Sequence, residues 1–304
     1  MYQDIPSAYD AWDIDSMYRS RPVALPEKAE IKVTAEGPLF AQLVVNRKLH
    51  DSTMTQTITL RRGERRVDFH TVIDWQERHK LLKVDFPVEY RSLEALHEIQ
   101  FGHLGRPTHR SREIDQDQYE VCNQKWTALV EGDRGFAVLN DSKYGVDVQD
   151  DNINLTLLKS ALAPDMMADR GLQEFTYAFY FWNNPFIDSG LVQQGYQLNI
   201  PLSAVEGYAQ TRSLFDLDRS NIILETVKPA EDPNSHDIVL RLYEAHGTRT
   251  ETRLTTRLDF DHAYRTDMLE NVLEKLDFVD GQVDLIFHPF EIKTLRLVNG
   301  QPLA

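Results

Sequence analysis

Strict alternation of apolar and polar residues constrains this chain more than any other feature. In "LLKVDFPVEY", Leu82, Val84, Phe86, Val88 and Tyr90 fall on one face and Lys83, Asp85, Pro87 and Glu89 on the other. That period of two is the mark of a half-buried strand. The preceding "RRVDFHTVIDW" repeats it with Val67, Phe69, Thr71, Ile73 and Trp75, and "TQTITL" is rich in β-branched side chains. Further strands are legible in "GFAVLN", "INLTLLKS", "QEFTYAFYFW", "DIVLRLYE" and "KTLRLV", with turn signals between them at Gly63, Gly132, Gly145, Pro185, Gly195 and Gly281. Only "TDMLENVLEKL" has helical spacing, through Met268, Leu269, Val272, Leu273 and Leu276. Strands joined by short turns, without crossover helices, predict an all-β antiparallel protein.

The chain has 304 residues, which suits two domains at roughly 100–200 residues each. The polar, poorly periodic "SAVEGYAQTRSLFDLD" places the boundary near residue 213, giving domains of residues 1–212 and 213–304. A second break, "KPAEDPNSHD", has strand patterns close on both sides and reads as a connection inside the C-terminal unit. Hydrophobic residues at 41% and aromatics at 10% exclude a disordered or fibrous chain. A formal charge of −15 argues against nucleic acid or an anionic membrane as partner and leaves a neutral ligand open. Cys122 is the only cysteine, so no intrachain disulfide forms and a reducing, cytoplasmic setting is expected. The opening "MYQDIPSAYDAWDID" lacks the basic start and apolar run of a signal peptide, and no segment approaches the ~20 apolar residues of a membrane span.

Two stretches hold candidate functional residues. "FGHLGRPTHRS" sets His103 and His109 six apart among Arg106, Arg110, glycines and a proline. It has neither the i, i+4 spacing of HExxH nor an evident third ligand, so pairing of these cations with acids at a loop or domain contact is favoured over a metal site. "DRGFAVLNDSKYG" ends a strand in Asn140, Asp141, Ser142, Lys143, Tyr144 and Gly145, a turn composition that also offers an amide, a carboxylate, an ammonium and a phenol to a sugar. Neither GxSxG nor a phosphate-cradling glycine loop occurs. The alternating aromatics Phe175, Tyr177, Phe179 and Phe181 read as a core face rather than a carbohydrate platform.

The segments "GRPTHRS", "YEVCNQKWTALVEGDRGFAVLNDSKYG", "LTLLKSALAPDMMADRGLQEFTYAFY", "LETVKPAEDPNSHDIVLRLYEAHG" and "HPFEIKTLRL" together resemble the C-terminal region of family 38 glycoside hydrolases, the α-mannosidases, in their bacterial and cytosolic branch. They occur in family order across nearly the whole chain. The resemblance implies a large antiparallel super-sandwich of the galactose-mutarotase type followed by a smaller β-sandwich, and it argues for strand in "TDMLENVLEKL". It also implies that the zinc ligands and the aspartate nucleophile lie in an N-terminal barrel-like domain whose motifs are missing here, so Met1 is expected to mark a cut in a longer protein. No catalytic residue, metal ligand or cofactor is then assigned to this chain, and zinc is implied only for the full-length enzyme. Where relatives commonly carry histidines, this chain has Gln124 in "NQKW" and glutamine with glutamate in "GLQEFTYA".

The expected role is therefore the non-catalytic part of a retaining, zinc-dependent α-mannosidase. Its partners are its own catalytic domain and mannosides or mannose oligosaccharides, and a barrel-facing surface would also support self-association into a homo-oligomer. Arg106, His109, Asn140, Asp141, Lys143 and Tyr144 are the candidates for the substrate cleft. Two alternatives stay open: a free-standing carbohydrate-binding or structural β module, and a mutarotase-like epimerase, which needs His103 or His109 to meet a glutamate.

Overall fold

Among the described residues, alternation along the chain becomes strands paired only with antiparallel neighbours. A computed structural model describes residues 1–208 and 211–300, so residues 209 and 210 of the segment at the expected boundary lie outside the described residues. The chain divides into two compact units, Met1–Glu98 with Leu104–Leu202, and Ile99–His103 with Ser203–Ala304.

Residues 1–202 contain strands β1 (Tyr2–Gln3), β2 (Glu30–Glu36), β3 (Phe40–Leu49), β4 (Ser52–Arg61), β5 (Arg66–Trp75), β6 (Lys80–Pro87), β7 (Glu94–Ile99), β8 (Gly102–Pro107), β9 (Val121–Cys122), β10 (Trp126–Glu131), β11 (Arg134–Asn140), β12 (Gly145–Gln149), β13 (Asn152–Lys159) and β14 (Gly171–Trp182), with helices α1 (Glu113–Asp117) and α2 (Leu191–Asn199). They form a nine-stranded sheet, β2-β3-β4-β5-β14-β11-β10-β7-β8, and a five-stranded sheet, β1-β6-β13-β12-β9. The inward faces meet in one core that includes Ile73, Trp75, Leu82, Leu129, Phe136, Val146, Ile153, Leu155, Phe175 and Tyr177. Val84, Phe86, Val88 and Tyr90 pack against it, as their alternation predicts. Phe175 and Tyr177 are core residues, whereas Phe181, at the strand's end, is 40% exposed.

The outer face of the larger sheet is covered near β14. Trp182 is fully buried there, 6.3 Å ring to ring from Phe186. A Cβ on Gly135, the register partner of Trp182 on β11, would come within 2.0 Å of the indole. Only glycine lets that ring lie flat on the strand. Gly195 corrects a sequence expectation, for it belongs to α2 and not to a turn. A side chain there would meet Trp126 at 3.1 Å and Lys125 at 3.3 Å, so close helix-to-strand packing selects the glycine.

The second unit contains β15 (Phe215–Leu217), β16 (Ile222–Pro229), β17 (Ile238–Glu244), β18 (Thr250–Thr256), β19 (His262–Thr266), β20 (Val272–Leu276), β21 (Gln282–Phe287) and β22 (Ile292–Val298). A three-stranded sheet, β15-β18-β21, and a five-stranded one, β16-β17-β22-β19-β20, enclose Ile222, Leu240, Leu242, Leu254, Phe287, Leu295 and Leu297. The helical spacing in "TDMLENVLEKL" does not yield a helix. Asp267 accepts the N–H groups of Leu269 and Asn271, Glu270 takes a positive φ of 66°, and β20 then pairs with β19 as an edge strand. That left-handed residue breaks a helical path, and Met268, Leu269 and Leu273 remain exposed instead of forming a stripe.

Candidate functional site

The six candidates all fall in the first unit, in two groups at opposite ends of β12. Asn140 to Gly145 lead into that strand and Asp150 follows it. Its five residues separate the groups by roughly 16 Å at about 3.3 Å per residue.

At the first end, two chain crossings between the sheets meet. Asn140, buried at the end of β11, donates both amide hydrogens, to Asn123 Oδ1 at 2.9 Å and Gln124 O at 2.8 Å. Its Oδ1 accepts the Lys143 N–H at 2.7 Å, its N–H reaches Lys125 O, and its carbonyl accepts from Asn199 at the end of α2. Asn123 answers by donating its own N–H and side-chain amide to Tyr144 O. These bonds occupy both amide hydrogens and the backbone groups of Asn140, so it holds the turn. Asp141 extends the β11 ladder by one residue, its carboxylate accepting the N–H of Thr176 in the middle of β14 at 2.8 Å. Lys143 lies 4.2 Å from the centre of the Phe175 ring, and burial lowers its pKa against the opposing pull of Asp141 and Asp169. Tyr144 turns an exposed ring outward. Beneath them, Lys125 pairs with Glu98 at 2.7 Å, and desolvation raises the Glu98 pKa despite that lysine.

At the other end, Tyr90, Arg91, Ser92, Leu93, Thr108, His109, Asp150 and Asp151 line an open cleft of about 430 Å³. Its walls are set by backbone bonds: Thr108 N–H to Leu93 O, Asp150 N–H to Thr108 O, and Val88 N–H to Asp151 O. His109 stands between this cleft and a recess of about 10 Å³ that it shares with His97, Arg106, Arg110 and Asp115. The nearest acid to its ring is Asp115, 3.9 Å from Nδ1. His97 is buried with Nδ1 3.1 Å from Thr127 Oγ1, and desolvation, aided by Arg106, lowers its pKa to about 3. Arg106 bridges the two ends, since its guanidinium donates to Cys122 O at 3.1 Å and Cys122 is the register partner of Gly145.

The loop from Arg106 to Arg112 is anchored by a charge cluster that no sequence motif marks. Arg110 donates to Asp147 at 2.5 Å, Asp147 also pairs with Arg19, and the Tyr18 hydroxyl donates to it at 3.3 Å. Burial pushes the Tyr18 pKa up to about 12. Beside it, Lys83 on β6 bonds Glu120 at 2.5 Å and Thr156 at 2.8 Å, and its own burial lowers its pKa despite Glu120. Alternation places Lys83 opposite the core face of β6, but only the tertiary structure shows that this opposite face is covered too.

His103 is the other histidine of the stretch that holds His109. It belongs to the second unit, with Nδ1 3.2 Å from Ala245 O and its ring 5.2 Å from Phe290. Glu244, the acid whose charge acts on it, accepts backbone N–H groups from His246, Gly247, Thr248 and Phe290. That carboxylate is committed to shaping its loop. The glutamate nearest in effect to His103 is thus spent on its own backbone loop, and the acid beside His109 is an aspartate. Among the described residues no three of His, Cys, Asp and Glu converge as metal ligands. No helix among the described residues is long and apolar enough to cross a membrane.

Two sheets closed over one core, followed by a smaller two-sheet unit, define the class: a tandem β-sandwich region with loop-borne polar groups. Residues 1–167 match the model of the glycosyl hydrolases family 38 C-terminal domain, and residues 221–295 match that of the family 38 C-terminal beta sandwich domain. The chain belongs to glycoside hydrolase family 38, as part of its C-terminal region. It is 38% identical over 311 residues to mouse Alpha-mannosidase 2C1, covering 99% of this chain and 30% of that protein. With Alpha-mannosidase G of Dictyostelium discoideum the identity is 33%, over 99% of this chain and 29% of the relative. A crystal structure of an alpha-mannosidase from Enterococcus faecalis superposes with a TM-score of 0.73 at 17% identity, over 88% of this chain and 35% of that one. The last likeness is one of fold. The chain thus spans about a third of the length of the relatives it matches.

Proposed function

We propose that this chain is the non-catalytic C-terminal region of a retaining, zinc-dependent α-mannosidase that acts on terminal α-mannosyl residues in the cytoplasm, and that residues 1–212 and 213–304 are its two domains. The observation that carries the proposal is the pair of family 38 C-terminal matches, in order, on a chain that spans only 30% of an α-mannosidase relative. The chemistry of the described residues supports the division of labour. Retaining hydrolysis of a glycoside needs two carboxyl groups about 5–5.5 Å apart across the bond, one as nucleophile and one as acid/base. Asp115 and Asp147 are instead tied into ion pairs with arginines, and Asp141 accepts a backbone N–H from the middle of β14.

What the chain contributes is shape and polar groups for a sugar. Arg106, His109, Asp141, Lys143 and Tyr144 are proposed to rim the carbohydrate cleft, with Asn140 holding the turn that carries the last three. A tyrosine ring, a guanidinium and carboxylates around the open cleft beside His109 are the groups that bind sugar hydroxyls and faces. The test is hydrolysis of an aryl α-mannoside. The full-length protein should turn it over and lose activity on chelation, and this chain alone should not. Chelator-sensitive turnover by the chain alone would refute the reading. Arg106→Ala in the full-length enzyme should raise KM or lower folding yield before it lowers kcat.

A further inference from the structure

The nine-stranded sheet is wider than the five-stranded sheet that covers it, and the overhang carries a face that the sequence built for burial. On β2, β3 and β4 the residues alternate. One face bears Thr34, Gln42, Asn46, Thr55, Thr57 and Thr59 with Phe40 and Val44 among them, and the other bears Ile31, Val33, Leu43, Val45, Ile58 and Leu60 with Gln56 among them, aligned across the strands as Ile31↔Val45, Val33↔Leu43 and Leu43↔Ile58. The row continues through Ile58↔Phe69 and Phe69↔Tyr177 into the core. Toward the edge it stays in solvent: Ile31 is 62% exposed, Val33 65%, Leu43 37% and Leu60 47%. An apolar half-face continuous with a core but open at one side is the signature of an interaction surface.

We propose that this wing, β2 to β4, is where the upstream, catalytic portion of the same polypeptide seats. The proposal rests on the reading that the chain is the C-terminal region of a longer mannosidase, and it names the surface used. Two observations select that occupant. The relatives place some 70% of their length outside the region matched here, given the 30% shared. A second copy of this chain would bring −15 against −15, a repulsion that opposes a symmetric dimer.

The experiment is hydroxyl-radical footprinting and lysine cross-linking on the full-length protein, with mannoside hydrolysis measured on the same preparation. Ile31, Val33 and Leu43 should be protected from labelling, and Lys32, on the opposite face of the edge strand β2, should cross-link to upstream residues around the sheet edge. Leu43→Glu should abolish those cross-links and split a single melting transition into two, and Val33→Thr should weaken them. Labelling of Ile31, Val33 and Leu43 at the rate of exposed aliphatic side chains would overturn the proposal, as would cross-links joining Lys32 of two copies. An active enzyme with a fully labelled wing overturns the docking surface alone. An inactive protein with a protected wing leaves the surface standing and removes the mannosidase reading.

Discussion

The turn from Asn140 to Gly145 and the loop from Arg106 to Arg112 look alike as sequence: both are short, polar and rich in residues that bind ligands. Their structures differ in where the polar groups are spent. In the turn, Asn140 is buried with its amide bonded on both sides, so the residue most suggestive of recognition is the one least able to offer it. In the loop, Arg110 is likewise committed to Asp147, but His109 lines an open cleft. The lesson is that satisfaction of hydrogen bonds, not residue type, separates a strut from a contact.

Four measurements bear on that contrast. The largest effect is expected from Asp147→Ala, which strips Arg110, Arg19 and Tyr18 of a shared buried acceptor. Breaking such a pair from one side costs about 3–5 kcal/mol, read as a shift in the denaturant midpoint, and a loss below about 1 kcal/mol would show that the anchor of the loop lies elsewhere. Asn140→Ala should cost about 2–3 kcal/mol, because the Lys143 N–H and the acceptors on Asn123 and Gln124 lose their partner. A neutral outcome there would make the turn a free recognition element after all.

Third comes pH. His97 is held neutral in the folded state, with its pKa lowered to about 3 from 6.5, whereas the unfolded chain takes up a proton below 6.5. Its contribution is therefore fully present above pH 6.5 and is lost as pH falls toward 3, at up to about 1.4 kcal/mol per pH unit. His97→Gln should flatten that part of the stability profile, and an unchanged slope would mean that the recess beneath Arg106 is wetter than its burial implies. The smallest effect belongs to His109→Ala, within about 0.5 kcal/mol in stability but with weakened sugar affinity in the full-length enzyme. A strong fall in stability would move His109 into the same class as Asn140.

Much of the architecture was legible in advance because a strand exposes its own period. Val84, Phe86, Val88 and Tyr90 declare a face, and the core against which they pack follows from their apolar nature alone. The family, too, was readable from ordered segments such as "NDSKYG" and "HPFEIKTLRL". Other features had no local signal. In α2, Leu191, Val192 and Gly195 turn to the protein, but with so few apolar positions the helical period is faint, and Gly195 passed for a turn. In "TDMLENVLEKL" the period was present and misleading, because one Asx turn at Asp267 and a left-handed Glu270 overrule it.

The antiparallel all-β character and the family 38 C-terminal type are written in the order of residues, since alternation and segment order are properties carried residue by residue. Which polar residues are spent on partners emerges with the packed fold alone. Tyr18, Lys83, Arg110 and Asp147 come from four distant segments, and whether each charge faces water or a partner depends on how those segments are brought together across the smaller sheet. The same holds for the apolar wing of β2 to β4: the pattern asked for a cover, and the width of the opposing sheet determined that the two ends of that face would differ.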